Sequence, residues 1–146
     1  MKAVHTYIFL ADEREVHIYE NHGVGKGIAE IAKLSIDDCP DYPADYSDEP
    51  GIGHSNAGPG RAGVEHSTSL KDARRRVFAR FIAADILSRK RTAKFDRLIL
   101  SAAPHMLGTL REELDGKIDI YAQLDKNLVN TPRQDLPKHL EKVLAV

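Results

Sequence analysis

Apolar and polar positions follow two different periods along this chain, and the change of period divides it into elements. Val4 to Leu10 is apolar, β-branched or aromatic at most positions and predicts a buried strand ending at Ala11-Asp12. Val16 and Ile18 alternate with His17 and Tyr19, predicting a second strand to Glu20 that a tight turn at Asp12–Arg14 joins to the first. Asn21 to Gly25 supplies turn chemistry, and Ile28 to Leu34 predicts a third short strand, so the chain begins as an antiparallel meander. Further on the period becomes helical. Leu70, Ala73, Val77, Phe81, Ala84 and Leu87 predict an amphipathic helix to about Arg91, with Thr68 or Ser69 as its N-cap. Phe95–Ser101 predicts a fourth strand, Pro104–Leu114 a helix opened by its proline, and Ile118–Leu124 a fifth strand. A closing helix runs from Pro132 or Arg133 to Leu144, with Leu136, Leu140, Val143 and Leu144 as its apolar side.

The order βββαβαβα predicts one α/β domain over residues 1–146, a mixed five-stranded sheet covered by helices, as in ribonuclease H-like domains. Residues 36–68 break the pattern. They show no period and hold four of the seven prolines and half of the ten glycines, which predicts a long flexible loop, acidic first and glycine-rich after.

Composition adds three points. A 146-residue chain with 42% hydrophobic residues can bury one core without staples, and the single cysteine, Cys39, excludes an internal disulfide and fits a reducing compartment. The apolar run near the start is too short for a signal peptide or a membrane span, so a cytoplasmic protein with no membrane partner is expected. The net charge of −1 conceals an asymmetry: residues 1–68 carry five bases and twelve acids, whereas residues 69–94 carry nine bases and two acids. Such a division speaks to partners more than to fold.

Two resemblances follow from particular residues. Phe95-Asp96-Arg97-Leu98-Ile99-Leu100 with Ala103-Pro104-His105-Met106-Leu107-Gly108-Thr109-Leu110-Arg111 resembles a signature of the bacterial family of proteins required for attachment to host cells. Leu124-Asp125-Lys126-Asn127-Leu128 with Leu136-Pro137-Lys138-His139-Leu140 resembles that family's closing motif. The family is named for a phenotype, and the resemblance implies no reaction. More distantly, the chain is similar to the middle domain of archaeal and eukaryotic class-1 peptide-chain release factors, where a GRGGQ loop leads into an arginine-rich helix. Gly60-Arg61-Ala62-Gly63-Val64 stands at that place here. In release factors the glutamine helps water attack the peptidyl-tRNA ester. Val64 occupies its position, and an isopropyl group can neither direct water nor donate to an oxyanion.

Arg61, Lys71, Arg74, Arg75, Arg76 and Arg80 are the candidate nucleic-acid-binding residues, because a row of cations on a helix supplies affinity for a phosphate backbone. The competing reading is a solvated helix face, or one that docks the acidic loop of the same chain. Asp12, Asp96 and Asp125 stand at strand ends where a two-metal nuclease needs carboxylates, although each also suits a turn or strand end. The seven histidines show no ligand spacing; His54 and His66 share the loop with acids, and no metal or cofactor is assigned. Cys39 lies among acids that disfavour a thiolate, and Gly108 is expected to bring its helix close to the sheet. The expectation is a non-catalytic, translation-associated protein that binds RNA or the ribosome. The alternatives are a peptidyl-tRNA hydrolase-like rescue factor, with Glu65 or His66 standing in for the glutamine, or an intracellular regulatory protein that affects attachment indirectly.

Overall fold

The computed structural model describes residues 3–44 and 60–146, with residues 60–68 described by their backbone alone. Strands β1 (Thr6–Ala11), β2 (Glu15–Asn21) and β3 (Ala29–Ser35) form the expected meander, and β4 (Arg97–Ser101) and β5 (Ala122–Leu124) complete a sheet of order β3-β2-β1-β4-β5. β1 runs antiparallel to β2 and parallel to β4, which is parallel to β5. β1 is therefore central and covered on both faces, which is why its residues are apolar without interruption from Tyr7 to Ala11. Tyr7, Phe9 and Ala11 face one way with Val16, Ile18, Leu98 and Leu100. Ile8 and Leu10 face the other way with Tyr19 and Ile99.

Helix α1 (Gly60–Ala93) and helix α2 (Pro104–Leu114) cover the first of these faces. The second is covered by Leu128, Val129 and the C-terminal segment carrying Leu136, Leu140 and Leu144. Each fully buried aliphatic side chain contributes about 1.5–3 kcal/mol, so these two layers supply the fold's main stabilisation. The turns are built from side-chain bonds. Asp12 accepts the backbone N–H groups of Arg14 and Glu15, both at 2.8 Å, and so closes the β1–β2 turn. Buried Asn21 donates to the carbonyls of Gly23 and Gly27 at 3.0 and 2.7 Å, and the left-handed backbone at Gly25 and Gly27 suits glycine alone.

The main departure from expectation lies at the start of α1. The helix begins at Gly60 rather than near Ser69, so Gly60–Val64 is helical backbone and not part of a loop. Helix propagation adds one hydrogen bond for each residue fixed, so a nucleus packed around Phe78 extends into a segment that lacks any apolar period. Gly63 opposes this extension by only about 1 kcal/mol. The 34-residue helix is about 51 Å long. From Ser69 to Val77 it buries no side chain. The expected loop is further shortened by a 3-10 turn at Ile36–Asp38, held by reciprocal Ser35 and Asp38 bonds. Its remainder, residues 45–59, lies outside the described residues.

Three smaller expectations also change. β5 has three residues instead of seven, because pairing starts only where the Tyr121 N–H reaches the Leu98 carbonyl at 2.8 Å. The closing helix is a short α3 (Leu136–Leu140) after a 3-10 turn at Arg133–Asp135; Pro137 lacks the N–H that would join the two. Gly108 faces open space, with nothing within 4 Å of where a Cβ would stand, so it provides no close approach to the sheet.

Candidate functional site

The cations of α1 divide between two sides of the helix. Phe78, Ile82 and Ile86 fix the inward face, and Arg74 and Arg75 precede Phe78 by four and three residues, which turns both toward the body of the protein. Arg74 donates through Nε to the Pro43 carbonyl at 3.2 Å and stacks over the Tyr42 ring at 5.5 Å. Arg75 is bonded to Glu13 and to Asp72, each at 3.2 Å. Arg89 donates to Asp85 at 2.6 Å. The expectation that Arg74 and Arg75 belong to a solvent-facing cationic row is thereby corrected: they tie residues 42–43 and the β1–β2 turn to the helix.

The outward side differs. Arg76, Arg80 and Arg91 are exposed there; Lys71, two turns before Phe78 and in line with the inward face, and Lys94, just past the end of the helix, are exposed as well. Of these, Arg80 alone has a carboxylate within 4.0 Å among the described residues, Glu113 at 3.4 Å, and its own side chain is 67% exposed. Both acids of the segment 69–94, Asp72 and Asp85, are half-buried and paired with arginines. The exposed charges of this segment are therefore mostly positive, with the partly exposed Asp72 tied to Arg75, over about 30 Å of helix from Lys71 to Arg91. The side chains of Arg61, Glu65 and His66, and the whole of His54, lie outside the described residues.

At the far end of β1 from the Asp12 turn, the sheet assembles a group that local spacing hides. The β1–β2 register pairs Thr6 with Asn21 and Tyr7 with Glu20, and its continuation sets His5 opposite His22. His5 Nε2 lies 3.0 Å from one Glu20 oxygen and His22 Nε2 lies 3.4 Å from the other. The two imidazole rings stack at 4.4 Å. Burial pushes the Glu20 carboxyl up, but its bonds with His5 and His22 outweigh that, and it is held below the usual carboxylate range. His22 also lines a cleft of about 530 Å³ with Thr6, Asn21, Val24, Arg97 and Tyr121. In that cleft Arg97 stacks over the half-exposed Tyr121 ring at 4.2 Å, and Thr6 Oγ1 is fully buried with no hydrogen-bond partner among the described residues.

The nuclease constellation does not assemble. Because β1 and β4 are parallel, Asp12 follows the end of β1 whereas Asp96 precedes the start of β4, roughly 20 Å away along a strand. Asp96 instead accepts the His5 backbone N–H at 2.8 Å, and Asp125 is exposed beyond β5. Burial, more than the neighbouring acids, pushes the Cys39 thiol up, with a further rise from the charge of Asp41. Among the described residues no helix is long and apolar enough to cross a membrane.

Comparison with known proteins agrees with the first of the two resemblances. The model of a family described as "Protein required for attachment to host cells" matches residues 7–140. The match does not extend to the release factors, and no curated protein matches the chain.

Proposed function

The chain belongs to the family of proteins required for attachment to host cells, and from that premise we propose that it is a non-catalytic RNA-binding protein that meets ribosomal RNA through the outward face of α1. The observation that carries this reading is the sorting of charge on one helix: Arg75 and Arg89 paired with carboxylates of the same chain and Arg74 held by a carbonyl and a ring, against outward cations facing solvent. Polyanion affinity comes from phosphates displacing counterions around such cations, and it requires no particular base. The residue set on that face is accordingly Arg76, Arg80 and Arg91, with the exposed Lys71 and Lys94 adding positive charge beside it and Arg74 and Arg75 reassigned to the body of the fold. The choice of ribosomal RNA rests on the sequence resemblance to release-factor middle domains, as does the ribonuclease H-like reading of the sheet. An antiparallel meander followed by two parallel crossovers supports the fold reading alone. A hydrolytic role has less to stand on: Val64 replaces the glutamine, and the backbone of Gly60–Val64 is helical.

Co-sedimentation with ribosomes tests the proposal. The full chain is expected to pellet with ribosomes at low salt and to be released as salt rises. Arg76→Glu/Arg80→Glu should abolish pelleting, whereas Arg75→Gln should leave it intact. Failure to pellet at low salt, or equal pelleting of the charge-reversed variant, overturns the proposal.

A further inference from the structure

His5, Glu20 and His22 do not take part in the proposed RNA face, and their arrangement has a chemistry of its own. We infer that they form a binding site for one divalent transition-metal ion of the zinc class, held by two imidazole nitrogens and one carboxylate, with a fourth position left to solvent beside the exposed His22 ring.

Donor chemistry comes first. Two imidazoles and a carboxylate suit Zn²⁺, and they disfavour Mg²⁺ and Ca²⁺, which prefer all-oxygen shells. Geometry comes second. At bond lengths of about 2.0–2.1 Å, tetrahedral Zn²⁺ holds its donors roughly 3.3–3.5 Å apart. His5 lies 3.0 Å from one Glu20 oxygen and His22 3.4 Å from the other, and one donor atom from each of the three residues falls within a common 4.8 Å. Convergence on one ion requires the His22 ring, which is 59% exposed, to turn out of its stack on His5.

The scaffold comes third. Glu20 projects from β2 and His5 immediately precedes β1, so the sheet register beside them sets their spacing. The backbone of His5 is pinned on both sides: its N–H donates to Asp96 at 2.8 Å, and its carbonyl accepts from the Asp96 and Arg97 N–H groups at 2.7 and 3.2 Å. The Tyr7 ring meets the His5 ring edge-on at 5.0 Å, which fixes the plane of one ligand. Three protein ligands and one open position is the form of zinc sites that exchange a water or substrate atom, rather than of closed structural sites.

The test uses the full chain, stripped of metal with a chelator and titrated with Zn²⁺ by calorimetry. The His5 and His22 ring nitrogens are followed by ¹⁵N NMR in the same titration. One equivalent should bind, with ring-nitrogen resonances of both histidines shifting together. His22→Ala and Glu20→Gln should each weaken binding at least tenfold. His17→Ala, which removes a histidine bonded to Glu15 outside the group, should not. His22 is exposed, so its replacement leaves the core intact, and a thermal melt of the metal-free variant should match that of the parent. The inference is overturned if no stoichiometric binding occurs. It is overturned equally if binding survives His22→Ala and Glu20→Gln undiminished while other histidine resonances report the ion. Ribosome pelleting is expected to be the same with and without Zn²⁺, so the two proposals fail separately.

Discussion

The two sides of α1 carry the same residue type under opposite conditions. Toward the body, Arg74, Arg75 and Arg89 each meet a carbonyl or a carboxylate at 2.6–3.2 Å, and their work is to hold the helix against the β1–β2 turn, residues 42–43 and its own next turn. Toward solvent, Arg76 and Arg80 stand four residues apart on the opposite face, with Arg91 further along the helix. The difference teaches that a run of arginines in a sequence is not one functional unit. A neutralised guanidinium contributes to stability, and only a solvated one can recruit phosphate.

Three variants separate the two sides, and a fourth on α2 serves as a control. The largest effect belongs to the packed face: Ile82→Ala removes a fully buried side chain and should lower unfolding free energy by about 2–5 kcal/mol in urea titrations, with RNA affinity per folded molecule unchanged. Next, Arg76→Glu/Arg80→Glu should weaken RNA binding roughly ten- to a hundredfold, or about 1.4–2.7 kcal/mol, in a filter-binding assay. It should leave the thermal midpoint nearly unchanged, since both positions are exposed. Arg75→Ala should do the reverse, with RNA affinity nearly unaltered and a loss of less than about 1 kcal/mol in stability, because its partners Glu13 and Asp72 are largely solvated. The smallest expected change is a gain. Gly108→Ala, on α2 and away from both sides, should add about 0.5–1 kcal/mol to stability, because the new methyl meets nothing and helical glycine is costly. A loss at Gly108 would show that packing around α2 is tighter than the structure has it.

The sheet was legible in the sequence because burial imposes a period, written in Tyr7–Ala11. That 70–91 is helical was legible too, but its buried stripe was not: Phe78, Ala79, Ile82, Ala83 and Ile86 are buried, while the expected Leu70, Ala73, Val77, Phe81 and Leu87 are half-buried at its flanks and Ala84 is exposed. The start of α1 at Gly60 was not legible, since residues 60–68 carry no apolar pattern in the sequence. The sorting of the arginines could have been read: Arg74 and Arg75 precede Phe78 by one helical turn, while Arg76 does not. Local spacing alone misses the His5–Glu20–His22 group, because its residues meet across a hairpin. The signal lay in the strand register, which sets His5 against His22 once the turn at Asp12–Arg14 is fixed and puts Glu20 on the same face two residues earlier. The expected nuclease carboxylates failed for the same kind of reason. Strand direction, which no local pattern records, sends Asp12 and Asp96 to opposite ends of the sheet.

The central claim is that the outward cations of α1, and not the inward ones, recruit phosphate. The salt dependence of binding to single-stranded RNA measures this directly, as the slope of log affinity against log salt. Replacing Arg76 and Arg80 by alanine should flatten that slope by about 1.4, two phosphate contacts' worth, while Arg74→Ala/Arg75→Ala should leave it where it is. An unchanged slope in the first variant, or an equal flattening in the second, would contradict the account.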